Sequence, residues 1–248
     1  MVIETRGRAR ITVTTAWQDF CSLPEHQLNS WKRSVTTESS NIVVFSAVES
    51  KDELALDLVV PEYMSVEIYG GIISLNVPKK LQGDLIVLIY SGSVHLYKVK
   101  GSHIDLQCGD GEIHVEKALE GNVTVVAGTF NAKMLNANDV KINAKLLTIY
   151  ALYCRFAQIQ AKENVSIGLL KGSATVSSSS GKVSVQNVDG AVRLLAEAGD
   201  VDVQANNLLP YTFDATSDEL RFEAPKGKVE VYLSPQVREM SWTLVFEA

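Results

Sequence analysis

Gly172-Ser-Ala-Thr-Val176, Gly181-Lys-Val-Ser-Val185, Gly190-Ala-Val-Arg-Leu194 and Gly199-Asp-Val-Asp-Val203 follow one another at intervals of nine residues. Each copy reads glycine, any residue, an aliphatic, a polar residue, an aliphatic. Alternation with period two is the mark of a strand with one buried face. The leading glycine marks a corner, where the backbone needs positive φ or close approach to a neighbour. Clear copies recur upstream as Gly92-Ser-Val-His-Leu96, Gly111-Glu-Ile-His-Val115 and Gly121-Asn-Val-Thr-Val125. Degenerate ones fill the middle: residues 128–132, Asn138-Asp-Val-Lys-Ile142, residues 146–149 and Glu163-Asn-Val-Ser-Ile167.

Short strands every nine residues suit a hairpin meander or a coil, and a second period separates the two. The residue two places before each glycine alternates in character: Leu170, Ser179, Val188, Glu197. Val99, Leu119, Leu135 and Leu152 extend the apolar series upstream, and Leu208 extends it downstream. One corner is therefore dry and the next wet. A meander has no reason to alternate its turns, whereas a coil passes the same two corners on every winding. The expectation is an all-β fold, a single-stranded parallel β-helix of about seven coils over residues 83–203, each coil 16–20 residues long and stacked at about 4.8 Å. Val183, Val185, Val192 and Leu194 point inward in this register; Ser184, Arg193 and Asp202 point outward.

The solenoid body is expected at 61–205, between an N-terminal cap, 1–60, and a C-terminal β cap, 206–248, in one structural domain. Stack ends expose unpaired backbone and need covers. Ile11-Thr-Val13, residues 42–45 and residues 54–60 read as front-cap strands; residues 220–222, 228–233 and 242–246 read as back-cap strands. Ser22-x-x-Glu25 has the form of a capping box, predicting a short helix over 23–33. Trp17, Trp31 and Trp242 all fall in the caps and are read as packing residues.

The chain has 248 residues, 46% hydrophobic and 21% charged, which excludes wholesale disorder and a collagen-like repeat. The net charge of −6, with no Lys/Arg cluster, argues against nucleic-acid binding, which draws its affinity from phosphate neutralisation. No apolar run approaches the roughly 18–20 residues of a membrane helix. Cys21, Cys108 and Cys154 are an odd, widely spaced set, unsuited to a disulfide scaffold and suited to a reducing compartment. Residues 1–10 have no apolar core of a secretory signal. Arg6, Arg8 and Arg10 beside Thr12, Thr14 and Thr15 faintly resemble a mitochondrial presequence, although Glu4 and the alternation of residues 11–14 favour a strand.

Leu58-Val-Val-Pro61, Val66-Glu-Ile68, Gly71-x-Ile-x-Leu75 and the glycine-led repeats resemble the bacterial adhesin-type β-solenoid domain of unknown function. Lys100-Gly-Ser-His-Ile-Asp-Leu106, the run through Asp200-Val-Asp-Val203, and Ala224-Pro-Lys-Gly-Lys-Val229 resemble an uncharacterised adhesin-like family of animal proteins. The likeness spans roughly residues 55–233. It implies a right-handed solenoid, in line with the usual hand of parallel crossovers, and a mitochondrial location for animal members. It implies no catalytic residue.

Several side chains are candidates for chemistry. His95 and His114 occupy one outward position in two coils and could share a zinc or copper ion, with Cys108 and Asp110 just upstream; the plainer reading is two exposed histidines. His103 falls beside a corner of the other face. Gly109-Asp-Gly111 has one element of a calcium β-roll and lacks its tandem repeats. Asp200 and Asp202, near Asp189 and Glu197, are the densest acidic group, the raw material of a polysaccharide-cleaving site, but Arg193 belongs to the opposite face from Asp202. Asn122-Val-Thr124 and Asn164-Val-Ser166 match the glycosylation pattern inside expected strands.

His95, His114, Asn131, Thr148, Ser166 and Ser184 form the flatter outward column, the better docking face. Asp105, Thr124, Lys141, Gln158, Thr175 and Arg193 form the other. The reading is a non-enzymatic scaffold or interaction module with an unknown protein partner, no cofactor and no nucleic acid, monomeric or weakly dimeric, and intracellular (cytoplasmic or mitochondrial). A pectate-lyase-like carbohydrate-active enzyme and an exported adhesin are the alternatives. If the register is right, Val183→Asp will cost several kcal/mol and Ser184→Asp almost nothing; equal shifts in Tm would place the inward face wrongly.

Overall fold

The computed structural model describes residues 1–16, 31–36, 42–47, 54–205, 220–223, 229–233 and 244–247. No helix occurs among them. The strands are β1 (Val2–Ala16), β2 (Trp31–Thr36), β3 (Ile42–Ala47), β4 (Leu54–Pro61), β5 (Val66–Gln82), β6 (Leu85–Ala161), β7 (Val165–Ser178), β8 (Val183–Asp189), β9 (Val192–Ala196), β10 (Val201–Ala205), β11 (Leu220–Glu223), β12 (Val229–Leu233) and β13 (Leu244–Glu247). They form a parallel β-solenoid of about eight turns. The chain divides into two compact units, Met1–Thr129 and Phe130–Ala248.

The second unit holds the regular repeats and is built on two parallel ladders. In one, residues 147–153 of β6 pair with β7, β7 with β8, β8 with β10 and β10 with β12. In the other, residues 156–161 of β6 pair with the far half of β7, then β9, β11 and β13 follow. Leu147 faces Val165, Val165 faces Val183 and Val183 faces Val201, a step of 18 residues each time. Nine-residue neighbours therefore lie in different ladders, and each segment pairs with the one two copies on. A meander would have paired consecutive copies antiparallel.

The inward register is as read. Val183, Val185 and Leu194 are fully buried, as is nearly all of Val192. On the outer side Arg193 is exposed, and Ser184 and Asp202 are half-buried. The dry corner stacks Leu152 on Leu170 on Val188, all buried, and each such aliphatic contributes roughly 1.5–3 kcal/mol. At the wet corner Ser179 and Glu197 are exposed, and polar groups tie one winding to the next. The buried Ser178 Oγ donates to the Glu163 carbonyl at 2.5 Å and accepts from the Gly181 N–H at 3.0 Å. Asn164 Oδ1 accepts the Lys182 N–H at 2.9 Å.

Glycine meets two separate demands here. Gly190 has φ of 136°, and a Cβ there would stand 2.2 Å from the Gly172 carbonyl oxygen of the winding before. Gly199 meets only the second demand: a Cβ would come within 2.2 Å of the Gly181 oxygen.

In the first unit β1 is a bent winding. Residues 2–4 pair with β3 and residues 2–5 with β5; after a break in register, residues 8–12 pair with β5 and residues 9–16 with β4. Its alternation buries Ile3, Ala9, Ile11 and Val13 and leaves Arg8 and Arg10 exposed. Arg8 and Arg10 thus belong to the outer face of a strand. β5 continues into β6 with Val66 facing Leu85. Asp84 Oδ1 accepts the N–H groups of Ser102 and His103 at 2.7 and 2.9 Å, a corner link like that of Asn164.

The cap strands expected at 11–13, 42–45 and 54–60 are present, as are those at 220–222, 229–233 and 244–246. The helix expected over 23–33 is corrected where it can be seen. Trp31, Lys32 and Arg33 open β2, which runs antiparallel to β3, with Trp31 facing Ala47. An aromatic start followed by Val35 and Thr36 suits a strand once an edge is offered. The rest of that helix, with Trp17 and Cys21, lies outside the described residues, as do Leu208, Lys228 and Trp242.

Ser184 faces Asp202, so Thr175, which faces Arg193, is the better outward control for an introduced carboxylate. Gly190→Ala is expected to destabilise the protein by about 1–3 kcal/mol and Thr175→Asp by less than about 0.5 kcal/mol, both measured by urea unfolding.

Candidate functional site

Register decides which outward side chains meet, because residues far apart in the chain are brought one winding apart. In the first unit Asp57 faces Thr12, Thr12 faces Asn76 and Asn76 faces His95. His114 comes next: its ring centroid lies 5.9 Å from that of His95, with the planes tilted by 48°. Both histidines are exposed. They border a groove of about 450 Å³ whose walls include Arg10, Asn76, Tyr97 and Glu116. Lys117 donates to Tyr97 Oη at 3.3 Å and lies over its ring, 5.3 Å from the centroid.

Cys108 does not join this pair. It is fully buried, and its thiol donates to the Gly92 carbonyl at 3.7 Å. Counting by twos from His114 puts residue 108 on the same face. Gly109, with φ of 29°, intervenes and resets the alternation. Burial pushes the Cys108 thiol up to about 11. Cys154 behaves alike: its thiol donates to the Ser173 carbonyl at 3.7 Å, and burial raises its pKa to about 11. Asp110 is exposed in the same turn as Gly109. Among the described residues no three His, Cys, Asp or Glu side chains are placed to hold one metal ion.

In the second unit Thr148 faces Ser166, Ser166 faces Ser184 and Ser184 faces Asp202, a column of short polar groups. Asn131, half-buried, also belongs to this unit. In the other ladder Gln158 faces Thr175 and Thr175 faces Arg193. Arg193 and Asp202 thus stand in different ladders, as their parity requires. Carboxylates are paired with lysines of a neighbouring winding: Asp189 with Lys171 at 2.9 Å, Asp202 with Lys182 at 2.8 Å and Glu163 with Lys145 at 3.5 Å. Asp202 Oδ1, in contrast, is buried with no hydrogen-bond partner among the described residues. Asp200 and Glu197 are exposed. The acidic group read from the sequence is therefore spread along the windings and does not converge on one point.

The first unit follows the same rule, with Glu120 beside Lys98 at 2.6 Å and Glu62 beside Lys80 at 3.3 Å. A hydrogen bond from Gln82, and then one from Lys80, lower the Glu62 pKa. Such exposed pairs contribute roughly 0–1 kcal/mol each; their effect here is to occupy the acids. The two glycosylation-type asparagines differ. Asn122 is half-buried within β6, while Asn164 precedes β7 at the corner, its carboxamide oxygen engaged by Lys182.

Sequence reading found the two histidines and missed the groove beside them. Arg10 and Asn76 reach it through pairings such as Ile11 with Leu75, a separation that no nine-residue or eighteen-residue period announces.

The parallel windings and glycine corners agree with comparison by sequence. The profile described as Toastrack DUF4097 matches residues 34–235. The chain belongs to this family. A search of the curated proteins found no match. The Toastrack domain is a β-solenoid of unknown function, so the family establishes the architecture and leaves the activity to the side chains of this chain. No helix among the described residues is long and apolar enough to cross a membrane.

The thiols give a test of the buried geometry. Their folded pKa values of about 11 exceed the ordinary value of 9.0. The folded state therefore holds these protons more tightly than the unfolded chain. That contribution is complete below pH 9 and disappears as pH rises through 11. Cys108 and Cys154 are expected to resist iodoacetamide at pH 8 in the native protein and to react on unfolding, with thermal stability falling between pH 9 and 11, by mass spectrometry and melting curves.

Proposed function

We propose that this Toastrack protein is a non-enzymatic scaffold that presents one face of its solenoid to a protein partner. The observation that carries the reading is the in-register column Thr148, Ser166 and Ser184. Short uncharged side chains repeated once per winding make a flat surface rich in hydrogen-bonding groups. A partner can lie along it at little cost in side-chain entropy. Two further facts support the reading. Asp189 and Asp202 are held by lysines, and with Cys108 buried and Cys154 half-buried, desolvation raises both thiol pKa values to about 11. The free state of Cys108 and Cys154 favours a reducing, intracellular setting, cytoplasmic or mitochondrial.

The carbohydrate-active alternative draws on the acidic group at Asp189, Glu197, Asp200 and Asp202. The exported-adhesin alternative, like the narrower likeness to adhesin-like animal proteins, draws on sequence resemblance alone.

Proximity labelling from the tagged full-length protein tests the scaffold. A reproducible partner set is expected, lost in Thr148→Arg/Ser166→Arg while Tm stays within a few degrees of the parent. Turnover of an acidic or neutral polysaccharide that depends on Asp200 or Asp202 would replace this reading with the enzymatic one.

A further inference from the structure

We propose that His95 and His114 form a two-imidazole clip for a divalent transition metal of the zinc or copper class, at the rim of the first unit's groove. The inference is independent of the scaffold reading. Its basis is the 5.9 Å separation of the ring centroids across adjacent windings. With metal–nitrogen bonds of about 2.0–2.1 Å, two imidazoles on one tetrahedral ion have centroids about 5 Å apart. Rotation about the side-chain torsions closes the remaining gap without moving the backbone. Both rings are exposed, so neither needs to leave a packed position to turn.

The ladder preorganises the pair. Ser74 faces Ser93, Leu75 faces Val94 and Asn76 faces His95 in an unbroken parallel register under the site. Val94 and Leu96 on either side of His95, and Ile113 and Val115 on either side of His114, are buried. Those anchors hold the two Cα positions while leaving the rings free. Charge is also suitable. Glu112 and Glu116, two residues before and after His114, are exposed on the same side of the strand, and a carboxylate on each side lowers the cost of bringing in a doubly charged ion. Arg10 also lines the groove and opposes this effect.

Neutral imidazole is a preferred ligand of Zn²⁺ and Cu²⁺, whereas Mg²⁺ and Ca²⁺ require oxygen sets. No third protein ligand stands beside the pair among the described residues. The clip therefore leaves coordination positions open toward the groove, for water or for a donor atom from a bound molecule.

The full chain titrated with zinc chloride by calorimetry is expected to bind one ion through this pair. His95→Gln and His114→Gln should each weaken it by about tenfold or more, because one ligand loses the effective concentration supplied by the other. Cys108→Ala should leave the affinity unchanged, since that thiol faces the core. With Cu²⁺, electron paramagnetic resonance should show two equivalent nitrogen ligands in the parent and none of that signature in the double variant. Circular dichroism checks that each variant keeps its fold. No heat at millimolar zinc, binding that survives in the double variant, or dependence on only one of the two histidines would each overturn the clip.

Discussion

Each winding of this chain must lie on the one before it in parallel register, and the remaining structure follows from that constraint. A single winding buries only a handful of aliphatic side chains, far too few to offset the entropy of fixing some 18 residues. Stacking changes the balance. The backbone N–H and C=O groups of one winding are satisfied by its neighbours, and inward Val, Leu and Ile residues pack above and below their own equivalents. The step of 18 from Val165 to Val183 to Val201 is the signature of this arrangement. It also explains the stacked glycines: the Gly172 oxygen occupies the space a side chain at Gly190 would need.

A surface built this way is organised in columns. Side chains that meet are those at the same position in successive windings, so pairs such as Lys171 with Asp189, Ser166 with Ser184 and His95 with His114 arise from one geometric rule. The rule favours repeated recognition along a face. It disfavours the convergence of three or four unlike groups on a point, which most catalytic sites need.

The candidate site was legible to the extent that it follows the repeat. His95 and His114 hold the same place in two clear copies, and their proximity follows from register alone. Cys108 was grouped with the pair by nearness in sequence alone; the alternation restarts at Gly109, and the thiol lies in the core. The groove wall was invisible because Arg10 and Asn76 come from segments whose separation matches no period. The helix expected near Trp31 failed for a related reason. Local capping signals pointed one way, and an available edge on β3 drew residues 31–36 into a strand.

The sequence by itself determined the class of fold, the inward and outward faces of the regular glycine-led repeats, and the alternation of dry and wet corners among them. These are properties of neighbours at short, regular offsets, and composition at each offset is enough to express them. Only the tertiary structure decided that β1 is a full winding held between β4 and β5, that β2 turns back antiparallel on β3, and that Cys108 faces the core. Those outcomes depend on which distant backbone edge a segment finds and on single residues where the chain bends, and a periodic pattern carries no information about either.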